Sequence, residues 1–460
     1  MRPLMTRVPT IHRNDFLGGC MPYRTIPTTD TNYFMIVTDK NGAELDNDPD
    51  APNGKLSELM LSSLVDNGIT DVFIRCHGWH QDKAKAFAQF DSWIGAFASL
   101  DEDRLHMLQQ IPSFKEMHIG FHWPSLAWGD EKEASDTSFS PANTQTLRER
   151  IDFHIEALGG TPEVRAALYK IFDEVRTDSA SMTLSDTLRA AYLELNAALD
   201  LGANGAPGEG SADRLPFDPD QTVAEAVNNV AFGNDVGDNP LLAPLRQLTF
   251  WTMKKRAKDV GERGLHPLLR AMQQASPAVR IHLMGHSFGC IVASAAIAGP
   301  AGATPLPFPI NSCVLVQGAM SIWSFTSSLP TSHETAGFFN NILMEKKISG
   351  PLVATRSDSD MAVGKLYPWA AGVAGQVAYM FPPLYAAIGA LGICGIPTVH
   401  NITLLPRAGA YAFVPAHIYN VNSSNFICHG DGISGSHSDI AGPEVAHLLW
   451  QAALKTADAS

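Results

Sequence analysis

Hydrophobic positions along this chain switch repeatedly between two periods. Short apolar, β-branched runs of strand length occur at Tyr33–Thr38, Asp71–Cys76, Met117–His122, Val279–Met284, Ser312–Gly318 and Gly350–Thr355, and a last strand falls within Ile418–Cys428. Between them, apolar residues recur at helical spacing. They do so over Lys55–Asp66, over Lys83–Leu100 with Phe87, Phe90, Ile94 and Phe97 on one face, over Leu241–Gln274, and from Glu444 to about Lys455. Strands that alternate with helices predict an α/β fold, a mostly parallel central sheet with helices on both faces. Residues 1–30 show no period.

From about residue 130 to 240 the pattern loses its strands. Helical spacing over 143–158, 162–176 and 183–200 is followed by a Gly/Pro/Asp-rich linker at 202–220. Because this stretch interrupts the core strands, it predicts a helical cap insertion (131–240) between two parts of one core, 1–130 and 241–460. The basic cluster Lys254-Lys255-Arg256 reads as a solvated helix face.

Composition narrows the function classes. The chain has 460 residues, 45% hydrophobic and 17% charged, enough to bury a large core. A net charge of −14 with no basic stripe argues against nucleic acid as a partner. None of the six cysteines forms a C-x-x-C pair. Cys76, Cys290 and Cys313 fall in predicted buried elements, where a thiol serves as a small hydrophobe. Met1–Thr10 has no continuous apolar run, so the expectation is a cytoplasmic location or export without a cleaved signal peptide. The glycosylation-like patterns at Asn401 and Asn422 read as coincidence.

The chemistry concentrates at Gly285-His286-Ser287-Phe288-Gly289, between a strand and an Ala-rich helical segment. A serine can project from so sharp a turn only if strand and helix approach closely, and Gly285 and Gly289 leave that room. The N–H of Phe288 then lies at a helix N-terminus, where donors favour developing negative charge. Ser287 is the candidate nucleophile.

This G-x-S-x-G elbow resembles that of the α/β-hydrolase family. His77-Gly78-Trp79-His80 follows the strand 71–76, as a His-Gly pair follows the third strand in many members. The resemblance implies that Trp79 N–H joins Phe288 N–H in an oxyanion hole, with Gly78 allowing the backbone to come close. Phe121-His-Trp-Pro-Ser125, a strand running into Trp-Pro-Ser, is similar to a group of uncharacterised bacterial and fungal members. In the family the acid follows a later strand, which here leads to Asp358 and Asp360, and Asp360 falls where the family places it. His437, in Ser-His-Ser-Asp before the last helix, resembles the triad histidine of that group, and His429 is its rival. Asp439 reads as a cap of that helix.

The resemblance implies a serine hydrolase that needs no cofactor and acts through Ser287, His437 and Asp360 on a small-molecule or lipid ester. Thioesterase, peptidase and non-catalytic binding-module readings stay open on the same residues. A zinc site at His77, His80 and His122 is the metal alternative. Their spacing lacks the i, i+4 arrangement of helical ligands, so no metal is expected. Residues 366–399 contain no Asp, Glu, Lys or Arg. Their runs Trp369–Phe381 and Leu384–Ile396, split by Pro382-Pro383, are too short to span a bilayer. They read as a core hairpin or as an apolar wall suited to an acyl chain and to peripheral membrane contact.

Overall fold

The computed structural model describes residues 23–456 except 28, 49–50, 52, 80–82, 126–146, 178–180, 202–213, 229–238, 331–332, 371–381, 383 and 431–433. Nine strands form one sheet: β1 Tyr23–Thr25, β2 Asn32–Val37, β3 Asp71–Cys76, β4 Glu116–His122, β5 Arg280–His286, β6 Ser312–Val316, β7 Leu352–Arg356, β8 Val399–Thr403 and β9 Ile418–Asn422. Their order is β1-β2-β4-β3-β5-β6-β7-β9-β8. Only the β1–β2 pair is antiparallel. The architecture is α/β with a mostly parallel sheet.

Alternation along the strands divides the core between the two faces. Val72, Ile74, Ile281, Leu283, Cys313 and Leu315 pack on one face, with helices Leu56–Asp66, Ala243–Val260, His266–Ala275 and Gly289–Ala298. Phe73, Met284, Val314, Val316 and Val353 pack on the other, with helices Lys83–Ala98, Asp101–Gln110 and Pro443–Leu454. Four further helices, Leu147–Leu158, Pro162–Thr177, Asp186–Ala198 and Pro219–Asn228, carry buried residues such as Leu168, Ile171, Tyr192 and Leu195 into the first of these cores.

Register sets up the site. Phe121, Cys76, Gly285, Leu315, Ala354 and Asn420 pair in one row across the sheet. The residues just beyond that row emerge together at the C-terminal ends of parallel strands, where open α/β sheets place their ligands.

Several sequence expectations are corrected. Strands β1 and β8 and helix Asp101–Gln110 have no counterpart in the apolar pattern; β8 is an edge strand with His400 and Asn401 exposed. The helix expected over Leu241–Gln274 is two helices joined by a π-helical turn at Gly261–Leu265. Lys254 and Arg256 are buried, not solvated. Lys254 Nζ donates to Tyr367 Oη at 2.6 Å, and Arg256 donates to the carbonyls of Pro124 and Ala157. Tertiary partners satisfy charges that would otherwise face water.

The apolar run Leu384–Ile396 is largely core. Ala386, Ala387, Ile388 and Ile393 are buried, Ile388 N–H donates to Met320 O and Ser357 N–H donates to Gly389 O. Its helix covers only Ile388–Leu391. Residues 371–381 of the other run lie outside the described residues. Among the described residues, no helix is long and apolar enough to cross a membrane.

Candidate active site

Ser287 follows β5 and has φ +55°, the left-handed region that side-chain-bearing residues avoid at a cost of about 1–2 kcal/mol. Neighbouring backbone holds it there. Ser287 N–H donates to Val316 O at the end of β6 at 3.2 Å, and Ser287 O accepts Ala319 N–H at 3.2 Å and Cys290 N–H at 3.1 Å. The flanking glycines are required by space. A methyl group on Gly285 would strike the Gly289 carbonyl, and one on Gly289 would strike the Cys76 carbonyl.

The loop after β3 lies directly against the serine. A methyl group on Gly78 would sit 2.7 Å from Ser287 Cβ and 3.3 Å from its Oγ. Phe288 precedes the helix Gly289–Ala298, and its N–H has no backbone acceptor among the described residues. Its ring is buried and stacks with Trp79 at 5.7 Å, while Phe250 meets both rings.

His77 fixes the geometry of this loop. Its Nδ1–H donates to Gly78 O at 2.8 Å, so Nε2 is the acceptor and faces His122 Nδ1 at 2.8 Å. Burial pushes the His77 pKa down to about 4 and that of His122 well below the ordinary histidine value, so both rings are neutral near pH 7. The Gly78–Trp79 peptide is planar, so anchoring the Gly78 carbonyl to His77 turns Trp79 N–H to the opposite side. His80 lies outside the described residues.

Asp360 and His437 meet through Oδ2 and Nδ1 at 2.7 Å. The carboxylate is buried, and its remaining capacity is filled by Gln317 Nε2–H at 2.8 Å and Val363 N–H at 3.1 Å. Gln317 is itself at φ +48° just past β6, clamped to Thr355 Oγ1 through its own N–H and Oε1. The loops that carry acid and histidine are joined by a bridge between Asp360 and Gly435, and Ser436 N–H donates to Ser359 O at 3.1 Å. From below, neutral His286 donates Nε2–H to the His437 carbonyl at 2.9 Å; burial and the nearby His437 lower its pKa well below the ordinary value. His437 Nε2 carries no hydrogen bond among the described residues, and Ser287 Oγ makes none to it in this conformation.

The two rival residues stand elsewhere. Asp358 is exposed and pairs with Arg356 at 3.3 Å. His429 is exposed beside Asp439, whose Oδ2 accepts the backbone N–H of Cys428 and of His429; Asp439 thus caps this loop and not the last helix, whose cap position is Gly442.

Known proteins do not help to place this site. No protein-family model, curated protein or solved structure matches the chain. The geometry is therefore what speaks. It brings Ser287, Gly78, Phe288, Asp360 and His437 to one end of the sheet. Sequence reasoning missed Gln317 and the supporting role of His286, and it weighed His122 only as a zinc ligand, whereas its Nδ1 meets His77 Nε2. The available signal for Gln317 was a lone amide at the C-terminal end of the apolar strand Cys-Val-Leu-Val, the end of a parallel sheet where sites form.

Proposed function

We propose that this chain is a serine hydrolase of the α/β-hydrolase type, its helices between 147 and 228 a cap on that core, and that it cleaves a carboxylic ester through an acyl-enzyme. One observation carries the reading: a strained serine on a strand–helix elbow shares the C-terminal end of the sheet with a buried carboxylate–imidazole pair whose second nitrogen is unengaged. Ser287 Oγ attacks the acyl carbon and gives its proton to His437 Nε2. Asp360 holds the Nδ1–H and stabilises the imidazolium, and Gln317 and Val363 keep the carboxylate oriented. Phe288 N–H and Trp79 N–H receive the oxyanion, each supplying on the order of 3 kcal/mol. His437 returns the proton to the leaving alcohol, and water then resolves the acyl-enzyme. The Ser–His hydrogen bond tightens when substrate is bound, a common feature of such sites.

The rings of Trp79, Phe250 and Phe288 make the oxyanion side apolar, which favours an apolar acyl group over a peptide. A fluorophosphonate probe tests the mechanism: it should label the wild type at Ser287 and leave Ser287→Ala unlabelled. A series of p-nitrophenyl esters of rising chain length tests the acyl preference. Absence of labelling and of ester turnover would leave the non-catalytic reading in its place.

A further inference from the structure

Between β9 and the last helix, the chain brings together three side chains of metal-binding type that the mechanism does not use. Cys428, His429 and Asp439 each offer one ligand atom, and these three atoms lie within 4.8 Å of one another. Cys428 Sγ stands 3.7 Å from His429 Nδ1, and that nitrogen stands 3.2 Å from Asp439 Oδ2. Cys428 and His429 are exposed and Asp439 is half-buried, so an ion in solution can reach the cluster. Among the described residues, no other group of three His, Cys, Asp or Glu side chains places its ligand atoms so close.

The spacing is that of a tetrahedral zinc site. Bonds of about 2.3 Å to sulfur and about 2.0–2.1 Å to nitrogen and oxygen leave the ligand atoms about 3.3–3.6 Å apart. The observed 3.7 and 3.2 Å agree with those edges within the tolerance of about 0.2 Å expected of a metal site. A carboxylate–imidazole contact alone needs no sulfur beside it. The carboxylate is also aimed in advance. Asp439 Oδ2 accepts the backbone N–H of Cys428 at 3.0 Å and that of His429 at 2.8 Å, which leaves Oδ1 without a hydrogen bond among the described residues. Such outer-shell bonds orient a metal ligand before the ion arrives.

We propose that Cys428, His429 and Asp439 bind one zinc-like divalent cation, with water in the fourth position. A thiolate and an imidazole select a borderline or soft metal, and they disfavour calcium and magnesium, which take oxygen ligands. The site shares no residue with the set His77, His80 and His122, in which His77 and His122 are hydrogen-bonded to each other. The cation would fasten the two ends of the stretch 428–439, which carries His437 and the bridge from Gly435 to Asp360.

The test is a titration of the full chain, reduced and stripped of metal by a chelator, with cobalt(II) as the probe. An equimolar amount should give a thiolate-to-cobalt charge-transfer band and the intense visible bands of a tetrahedral site. Zinc should displace the cobalt, and calcium and magnesium should not. Cys428→Ser should abolish the charge-transfer band. His429→Ala and Asp439→Asn should each weaken zinc binding by about 100-fold or more, since losing an outer-shell partner alone costs about 10- to 100-fold. Asp439→Asn keeps an acceptor for both backbone N–H groups, so its loss of affinity reports ligation and not a collapsed turn. None of these readouts involves turnover, so they stand whether or not the chain is a hydrolase. A wild-type spectrum without the thiolate band, a band that persists in Cys428→Ser, or zinc affinity unchanged in His429→Ala or Asp439→Asn overturns the site.

Discussion

At the N-terminal end of β5, His282 joins Asp71 Oδ1 through Nε2 at 3.0 Å and Ser312 Oγ through Nδ1 at 2.8 Å. Past the other end of the same strand stand Ser287, His437 and Asp360, with only the last two hydrogen-bonded. By hydrogen bonds alone, the first set is the more complete Asp–His–Ser array. It differs in everything else. Asp71, His282 and Ser312 are buried, Arg280 neutralises the aspartate, and Ser312 belongs to the regular strand β6. Ser287 has a strained backbone, a helix N-terminus next to it and a glycine loop against it. A third pair, Asp103 and His447, repeats the 2.7 Å contact, but its second nitrogen is committed to Gly409 O. Carboxylate–imidazole–hydroxyl contacts are thus ordinary structural cement. Reactivity needs an unengaged nitrogen, access and donors placed for an oxyanion.

The sharpest way to break this contrast is to remove each serine. Ser287→Ala should lower kcat on a p-nitrophenyl ester by about 10⁴-fold or more, while Ser312→Ala keeps near-wild-type turnover. Loss of activity in Ser312→Ala without loss of folding would reverse the assignment. Next come the acids. Asp360→Asn should cost about 10⁴-fold in kcat with little change in KM, and Asp358→Asn should stay close to wild type. Asp71→Asn should retain turnover per folded molecule but melt at lower temperature, because Arg280 and His282 lose their carboxylate.

Gln317→Leu removes one donor from Asp360 and should lower kcat by about 10-fold, with a shifted pH–rate profile as the sign that the amide acts through the pair. A further effect is on stability against pH, not on turnover. Burial lowers the pKa of His77, His118, His122, His282 and His286, so the unfolded chain binds more protons than the folded one below the ordinary histidine range. Their stabilising contribution is full above about pH 6.5 and falls as pH drops towards about 4, where His77 titrates. His447 runs the other way: its pKa is raised, so its contribution is present below about 6.5 and is lost as pH rises past its own value. Denaturant melts at pH 7 and pH 6 should differ by about 3 kcal/mol in favour of pH 7, about 0.7 kcal/mol from each of the five rings less the smaller opposing share of His447. Equal or greater stability at pH 6 would mean that the five rings are not held neutral.

The elbow was legible because its cause is local: two glycines and a serine within five residues, between two strong periodic signals. The choice between Asp358 and Asp360 was not local. The two lie on one short loop, and what separates them is which one turns inward towards Gln317 and His437 and which meets Arg356 in solvent. Gln317 was illegible as a clamp because its partners, Thr355 and Asp360, arrive from β7 and the loop beyond it. Lys254 and Arg256 misled for the same reason, since nothing near them announces Tyr367 or the carbonyls of Pro124 and Ala157. Edge strand β8 offers too little apolar alternation to be read at all.

The two hydrogen bonds that tie Ser287 to Val316 and Ala319 have a consequence in time as well as in space. An isolated β5–helix segment has no reason to hold a serine at φ +55°, because the residues that secure it belong to β6 and the turn after it. The shape of the candidate nucleophile is therefore acquired only when that later strand docks, a non-local step. During refolding, helix content should return before fluorophosphonate reactivity does, and the delay between them measures how long β6 takes to arrive.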